Sequence, residues 1–420
     1  MNYTPVTALN VGLDFEEETR PVGRLAFKDG VVYFEYDPHF LERGLEISPL
    51  RLPLAPGLKT FDRALFEGLP GVFNDSLPDG WGRLLLDRAL KQKGILPQAL
   101  SPLDRLAQVG KHGMGALVYE PDDSDAPKTP GAPLDLDRLA EDTTRILEER
   151  PLLGNPQDVL QELLSLGGSS AGARPKAMIG VDAARQRIVH GTSALPDDFE
   201  AWLVKFPSSS SDGRDAGATE YVYALMARQA GIHMMDTHLF PAKTGAGYFA
   251  SKRFDRHGTK RLHVHTACGL LHSDFRVPAL DYDDLLSLTL RLTGDMREIE
   301  KMYRIAVFNV AAHNRDDHGK NVSFLMDDAG VWTLAPAYDL TFSSGPSGEH
   351  STMVLGEGKN PSLDHLQALG KQAGLPHKRV IEILKKTLDA LSQWPQRARQ
   401  YGVHMSTIKD IQKRFLIGHD

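Results

Sequence analysis

The 420-residue chain holds one cysteine, Cys268, so no internal disulfide can brace the fold and no oxidising compartment is required. It lacks a basic excess: 48 Lys and Arg against 55 Asp and Glu leave a formal net charge of −7. That argues against holding nucleic acid by bulk electrostatics, although a local basic patch stays open. No apolar run approaches the length that spans a bilayer, and Met1 to Glu17 shows no basic stretch followed by an apolar core. Neither a Walker A loop nor a G-x-G-x-x-G pattern occurs, and there is no repeat at solenoid periods. What remains is the profile of a soluble, cytoplasmic globular protein, 41% hydrophobic and 25% charged, and too long for a single core.

The order of elements is legible in outline. Alternation from Val22 to Tyr36 about Lys28-Asp29-Gly30 predicts a hairpin. Trp81 to Gln92 has helical periodicity, with Lys91 and Lys93 near its end and Gly94 beyond. Gly110 to Glu120 reads as a loop entering a strand, and Asp122 to Pro133, rich in Asp, Pro and Gly, as a linker. Helices are expected from Asp135 to Glu149, Pro156 to Leu166 and Thr219 to Ala230. Strands are expected from Met178 to Val181, Arg187 to His190, Ala201 to Phe206 and Tyr248 to Phe254. Beyond Asp281 the spacing is helical, apart from one hairpin between Asn321 and Ala335.

Three stretches carry chemistry. Arg315-Asp316 followed by Asn321 reproduces the R-D-x-x-x-x-N spacing of a protein-kinase catalytic loop, with Asn314 where the leading His would stand. A hairpin then leads to Ala337-Tyr338-Asp339-Leu340, where the kinase metal-binding aspartate falls. Magnesium takes oxygen ligands, usually one or two carboxylates plus phosphate oxygens. Asn321 and Asp339 would supply them, leaving Asp316 to meet a substrate hydroxyl and Lys320 to add charge near the phosphoryl group. Alone, Asn314 to Lys320 could equally be a solvated turn. His313 and His318 with Asp316 or Asp317 offer a zinc alternative, which lacks a further His cluster.

The second stretch, Gly167-Gly168-Ser169-Ser170-Ala171-Gly172, lets backbone N–H groups approach phosphate, yet on composition alone it reads as a flexible linker. The third is Lys205 in Trp202-Leu203-Val204-Lys205-Phe206, either a phosphate-gripping lysine or an edge-strand lysine facing water. Glu220 could pair with it; its place near a helix start favours a helix-dipole role instead. Small-residue loop, strand lysine, helix, Arg253-Phe254-Asp255, catalytic loop, hairpin and metal aspartate follow one another in the linear order of a protein kinase.

These stretches resemble the HipA family of bacterial toxin kinases. The likeness lies in Ser169-Ser170-Ala171-Gly172-Ala173-Arg174-Pro175-Lys176, Lys252-Arg253-Phe254-Asp255-Arg256, Asn314 to Asn321 and Ala337 to Leu340. Val22-Gly23-Arg24-Leu25 and Phe73 to Gly80 extend it to a small β-rich N-terminal subdomain. The resemblance implies an α+β, two-lobed kinase-like fold: a β-rich subdomain over residues 1–125, an N-lobe over 130–255 and a helical C-lobe over 256–420. It implies a serine/threonine kinase using ATP and Mg2+. Asp316 would be the catalytic base, with His318 and Lys320 in its loop, and Asn321 and Asp339 the metal ligands. Gly168, Ser169, Ser170, Ala171, Gly172 and Lys205 would cradle ATP, with Lys252 and Phe254 at the adenine hinge. Ser169 or Ser170 would be autophosphorylated. Expected partners are a protein substrate, such as an aminoacyl-tRNA synthetase or other translation factor, and a small DNA-binding antitoxin (HipB-like) through which operator DNA is met; no membrane is involved. Gly172-Ala173-Arg174-Pro175-Lys176 departs from the best-known form, which has Gln-Glu before the Lys. Two rival readings are a small-molecule phosphotransferase and a kinase-fold binding module without turnover.

Overall fold

The computed structural model describes residues 3–16, 18–124, 131–167, 172–191, 195–208 and 214–416. Its first sheet is antiparallel and five-stranded, in the order Lys59–Thr60, Val31–Tyr36, Thr19–Lys28, Ala8–Asp14 and Leu117–Glu120. The expected hairpin closes through Asp29 and Gly30, both left-handed (φ 52° and 75°), which suits a two-residue turn to the strand twist. A second antiparallel sheet runs Ile188–His190, Lys176–Asp182, Phe199–Lys205, Tyr248–Lys252, Thr237–Phe240. The strand that ends at Lys205 is its central one, so the edge-strand alternative for that lysine is excluded.

Helices Leu136–Leu147 and Pro156–Gly167 bury Leu139, Leu160 and Leu163 with Trp202 and Val204 of the second sheet and Phe206 just beyond it. Helix Gly80–Gln92 follows the first sheet's early strands in sequence, yet it sends Trp81 and Leu85 into this same core. Its N-terminus therefore lies beside the second sheet. The expected linker falls partly on residues 125–130, outside the described residues; after it, Leu134 N–H bonds the Ile188 carbonyl at 2.9 Å.

The last part is helical, through Tyr282–Thr293, Met296–Ala311, Leu363–Gln372, His377–Leu391 and Met405–Gln412. A short helix, Trp394–Gln400, was not expected; Pro395 sits in its first turn, where a missing N–H is harmless. The expected hairpin is narrower, Ser323–Met326 and Trp332–Leu334, and takes a third strand, His263–Thr266. One core joins Leu9, Val11, Phe34 and Phe73 of the first part to Met302, Tyr303 and Phe308 of the helical part. A polar seam crosses the same boundary. Asp75 accepts from His265 Nδ1 at 2.6 Å and from Thr266 N and Oγ1 at 2.8 Å, and His265 Nε2 meets Ser48 Oγ at 3.0 Å.

Candidate active site

The site gathers where the second sheet faces the helical part. Lys205 Nζ donates to Glu220 Oε1 at 2.5 Å and contacts Asp339 Oδ1. Glu220 lies on helix Ala216–Gln229, is 1% exposed, and also accepts from Arg174 Nη1 at 2.9 Å. The helix-dipole role preferred for Glu220 is thus overturned, because its side chain faces the sheet and two cations rather than solvent. Burial alone would depress the Lys205 ammonium, but Asp339 and Glu220 hold its pKa above the ordinary value. Burial would likewise raise Asp339; Lys205 and Lys176 instead hold it well below the carboxylate range. Asp339 adopts a left-handed backbone (φ 54°), which Asp tolerates better than most residues.

Helix Met296–Ala311 delivers the segment from Asn314 to Asn321, and His313 (φ 56°) turns the chain out of it. Asn314 Nδ2 bonds Asn309 Oδ1 at 2.9 Å and reaches the Asp339 carbonyl at 3.3 Å, so the residue standing at the usual His position ties the two motifs. Asp316 remains exposed, 3.6 Å from His318 Nε2. Its carbonyl accepts from Asn321 Nδ2 at 2.7 Å, which fixes the Asn321 amide with its oxygen on the other side. Asp317 points inward, accepting from Tyr282 Oη at 2.7 Å, His350 Nδ1 at 2.9 Å and Ser351 N at 2.9 Å. Arg315 donates to the carbonyls of Gly348 and Lys359. Tyr338 Oη donates at 2.6 Å to the Lys320 carbonyl, so the segments bearing Asp339 and Asn321 are tied one residue before each.

Asp339 and Asn321 present hard oxygen donors, the type that suits Mg2+. Among the described residues no group of three His, Cys, Asp or Glu comes together, so the zinc alternative finds no ligand set there; His313 stacks on Phe342 at 5.6 Å instead.

Lys320 Nζ lies 2.6 Å from Asp79 Oδ2 and 4.7 Å from the Phe275 ring centroid. Gly172 N–H donates to Asp79 Oδ1. Phe254 packs on Tyr338 at 5.5 Å, while the Lys252 ammonium turns to Glu200 at 2.6 Å and its backbone N–H bonds the Asp236 carbonyl. Gly168, Ser169, Ser170 and Ala171 lie outside the described residues. Sequence reasoning missed Asp79, Arg174 and Phe275. The available signals were the Pro78-Asp79-Gly80 turn before a helix, and an arginine beside the small-residue run.

The model of the HipA-like C-terminal domain matches residues 168–394, and that of the HipA N-terminal domain residues 15–120. A protein of Sinorhizobium fredii (strain NBRC 101917 / NGR234), named "Putative kinase Y4mE", is 28% identical over 399 residues, 87% of each chain. HipA of Shewanella oneidensis MR-1, solved with HipB and operator DNA, superposes with a TM-score of 0.67 at 18% identity, over 97% of this chain and 96% of that one. The Helicobacter pylori proinflammatory kinase CtkA overlaps 52% of this chain and 88% of its own, at 13% identity and a TM-score of 0.36. The architecture is the α+β fold of the Shewanella HipA.

Proposed function

The chain belongs to the HipA family, and from that premise we propose that it is a cytoplasmic serine/threonine kinase that moves the γ-phosphoryl group of ATP to a protein hydroxyl. The observation that carries the reading is the charge cluster of Lys205, Glu220 and Asp339, set beside a catalytic-loop segment whose Asp316 stays exposed. Lys205, neutralised by two carboxylates, would exchange one of them for ATP phosphates. Asp316 would take the proton of the attacking hydroxyl, which needs an accessible carboxylate. Asn321 and Asp339 would hold the Mg2+ that arrives with ATP; that ion neutralises phosphate charge. His318 and Lys320 would flank the transferred group, and Phe254, with the Lys252 backbone, would border the adenine.

Residues 1–125, 130–255 and 256–420 would act as β-rich subdomain, N-lobe and C-lobe. Autophosphorylation at Ser169 or Ser170 would place close to two negative charges in the loop meant for ATP phosphates and shut the enzyme down. The substrate would be a translation factor such as an aminoacyl-tRNA synthetase. The Shewanella neighbour, solved with HipB and operator DNA, supports a small DNA-binding antitoxin as partner, with DNA met through it; the net charge of −7 suits that division.

The test is radiolabelled ATP with Mg2+ on purified protein, alongside Asp316→Asn. Label mapped to Ser169 or Ser170, absent from the variant, is the expected result. Absence of both label and ATP consumption, in protein shown beforehand to be unphosphorylated, overturns the reading. Transfer to small acceptors but to no protein would replace it with a small-molecule phosphotransferase.

A further inference from the structure

Three distant segments meet at one carboxylate. Asp79 closes the turn before helix Gly80–Gln92 and shares its two oxygens between the Lys320 ammonium, at 2.6 Å, and the Gly172 backbone N–H. Trp81 N–H returns a bond to the Gly172 carbonyl at 3.1 Å. Gly80 makes this approach possible. Its backbone is left-handed (φ +44°), and a Cβ there would lie 2.6 Å from Ala173 Cα and 2.7 Å from the Gly172 carbonyl oxygen. The Lys320 side chain is only 9% exposed and lies over the Phe275 ring. Trp81 and Leu85 anchor the helix behind Asp79 in the second sheet's core, so the carboxylate is carried on a packed element rather than a loose loop.

We propose that Asp79 is a positioning residue for phosphoryl transfer. It holds the catalytic-loop lysine and the C-terminal end of the small-residue loop in register, so that an incoming phosphate meets both already fixed; this rests on the kinase reading above. A free lysine stem samples many rotamers, whereas electrostatic stabilisation of a transferring phosphoryl group depends on donors fixed before charge develops. An ammonium carries three N–H groups. Lys320 can therefore keep Asp79 as partner and still donate to phosphate, which favours positioning over a carboxylate that merely blocks the lysine. The first part of the chain thereby supplies a working part of the site rather than an appendage.

The experiment compares full-length wild type with Asp79→Asn, Gly80→Ala, Lys320→Met and the Asp79→Asn/Lys320→Met pair. It reads steady-state ATP turnover, binding of Mg2+-adenylyl imidodiphosphate by calorimetry, and melting temperature. With Asp79→Asn, kcat should fall ~10- to 100-fold, because loss of one preorganised electrostatic partner is felt in the transition state. KM for ATP and the analogue's Kd should stay within about threefold, and the double variant should be no slower than Lys320→Met alone. Gly80→Ala, which leaves the carboxylate in place but pushes the loop away, should lower kcat in the same sense. Turnover unchanged or faster in Asp79→Asn, a loss seen only in KM, or losses that multiply in the double variant would each overturn the assignment while leaving the kinase reading intact. A wild type that consumes no ATP sinks both.

Discussion

Lys205 makes a double commitment, to Glu220 inside the protein and to Asp339 at the site's edge. Replacing it with Met should abolish measurable transfer. It should also lower stability by about 2 kcal/mol, since a buried carboxylate left with fewer partners is costly; urea unfolding of Lys205→Met reads the second effect independently of the first. Three histidines set an acid limit on the fold. Burial depresses His263 to about 3, and His190 and His313 to about 4, from an ordinary 6.5. Their folded pKa values lie below the unfolded one, so the stabilisation is fully present above about 6.5 and drains as pH falls toward 4. The slope is up to ~1.4 kcal/mol per pH unit for each histidine. Melting temperature should therefore drop between pH 6.5 and 5, above the ordinary carboxylate range. His263→Gln, whose amide can replace the Nε2 bond to the Ile47 carbonyl, should flatten that slope. At this scale the sequence offered Asp316, Asn321 and Asp339 as candidates by spacing and order, and the bonds Asn321–Asp316 and Tyr338–Lys320 tie their segments together. It was not legible for Glu220, because whether a carboxylate near a helix start looks at solvent or at a lysine is decided by the sheet the helix lies on.

Elements repeat the same division between local and distant information. The hairpin at Asp29-Gly30 was readable because its turn residues and its alternation lie within a few positions of each other. Strand His263–Thr266 was not, because its pairing partner, Ser323–Met326, lies beyond three α-helices and four residues show little alternation of their own. Packing between short helices is equally silent in one dimension. Helix Gly71–Asn74 rests on helix Ala267–Leu271 so closely that a Cβ on Gly71 would fall 2.1 Å from the Gly269 carbonyl oxygen. Gly71→Ala should destabilise by roughly 3 kcal/mol, the upper range for overpacking, as this contact is with backbone that cannot swing away. Asp75→Ala, which strips partners from buried His265 and half-buried Thr266, should cost a similar ~3 kcal/mol. Chemical denaturation with unchanged m-values would check both; losses under 1 kcal/mol would show that the helices slide apart freely.

For the whole molecule, the decisive feature is a hydrophobic core that runs from Leu9 and Phe34 through Phe73 to Phe308 without a break. Bodies that share a core unfold together. Calorimetry should thus show the first sheet and the helical part melting in one transition, and an early separate transition would contradict the shared packing. Sequence patterning marked a β-rich start and a helical end, but composition does not record that their apolar faces are turned toward each other. The seam between them carries one more consequence. Ser48, His265 and Asp75 stand in the serine–histidine–carboxylate line of a hydrolase, with Ser48 1% and His265 0% exposed. A fluorophosphonate probe, which phosphonylates such serines only when its phosphorus can reach the hydroxyl, should leave Ser48 untouched in the native protein: the arrangement is a mortar joint, and reactivity begins with a door.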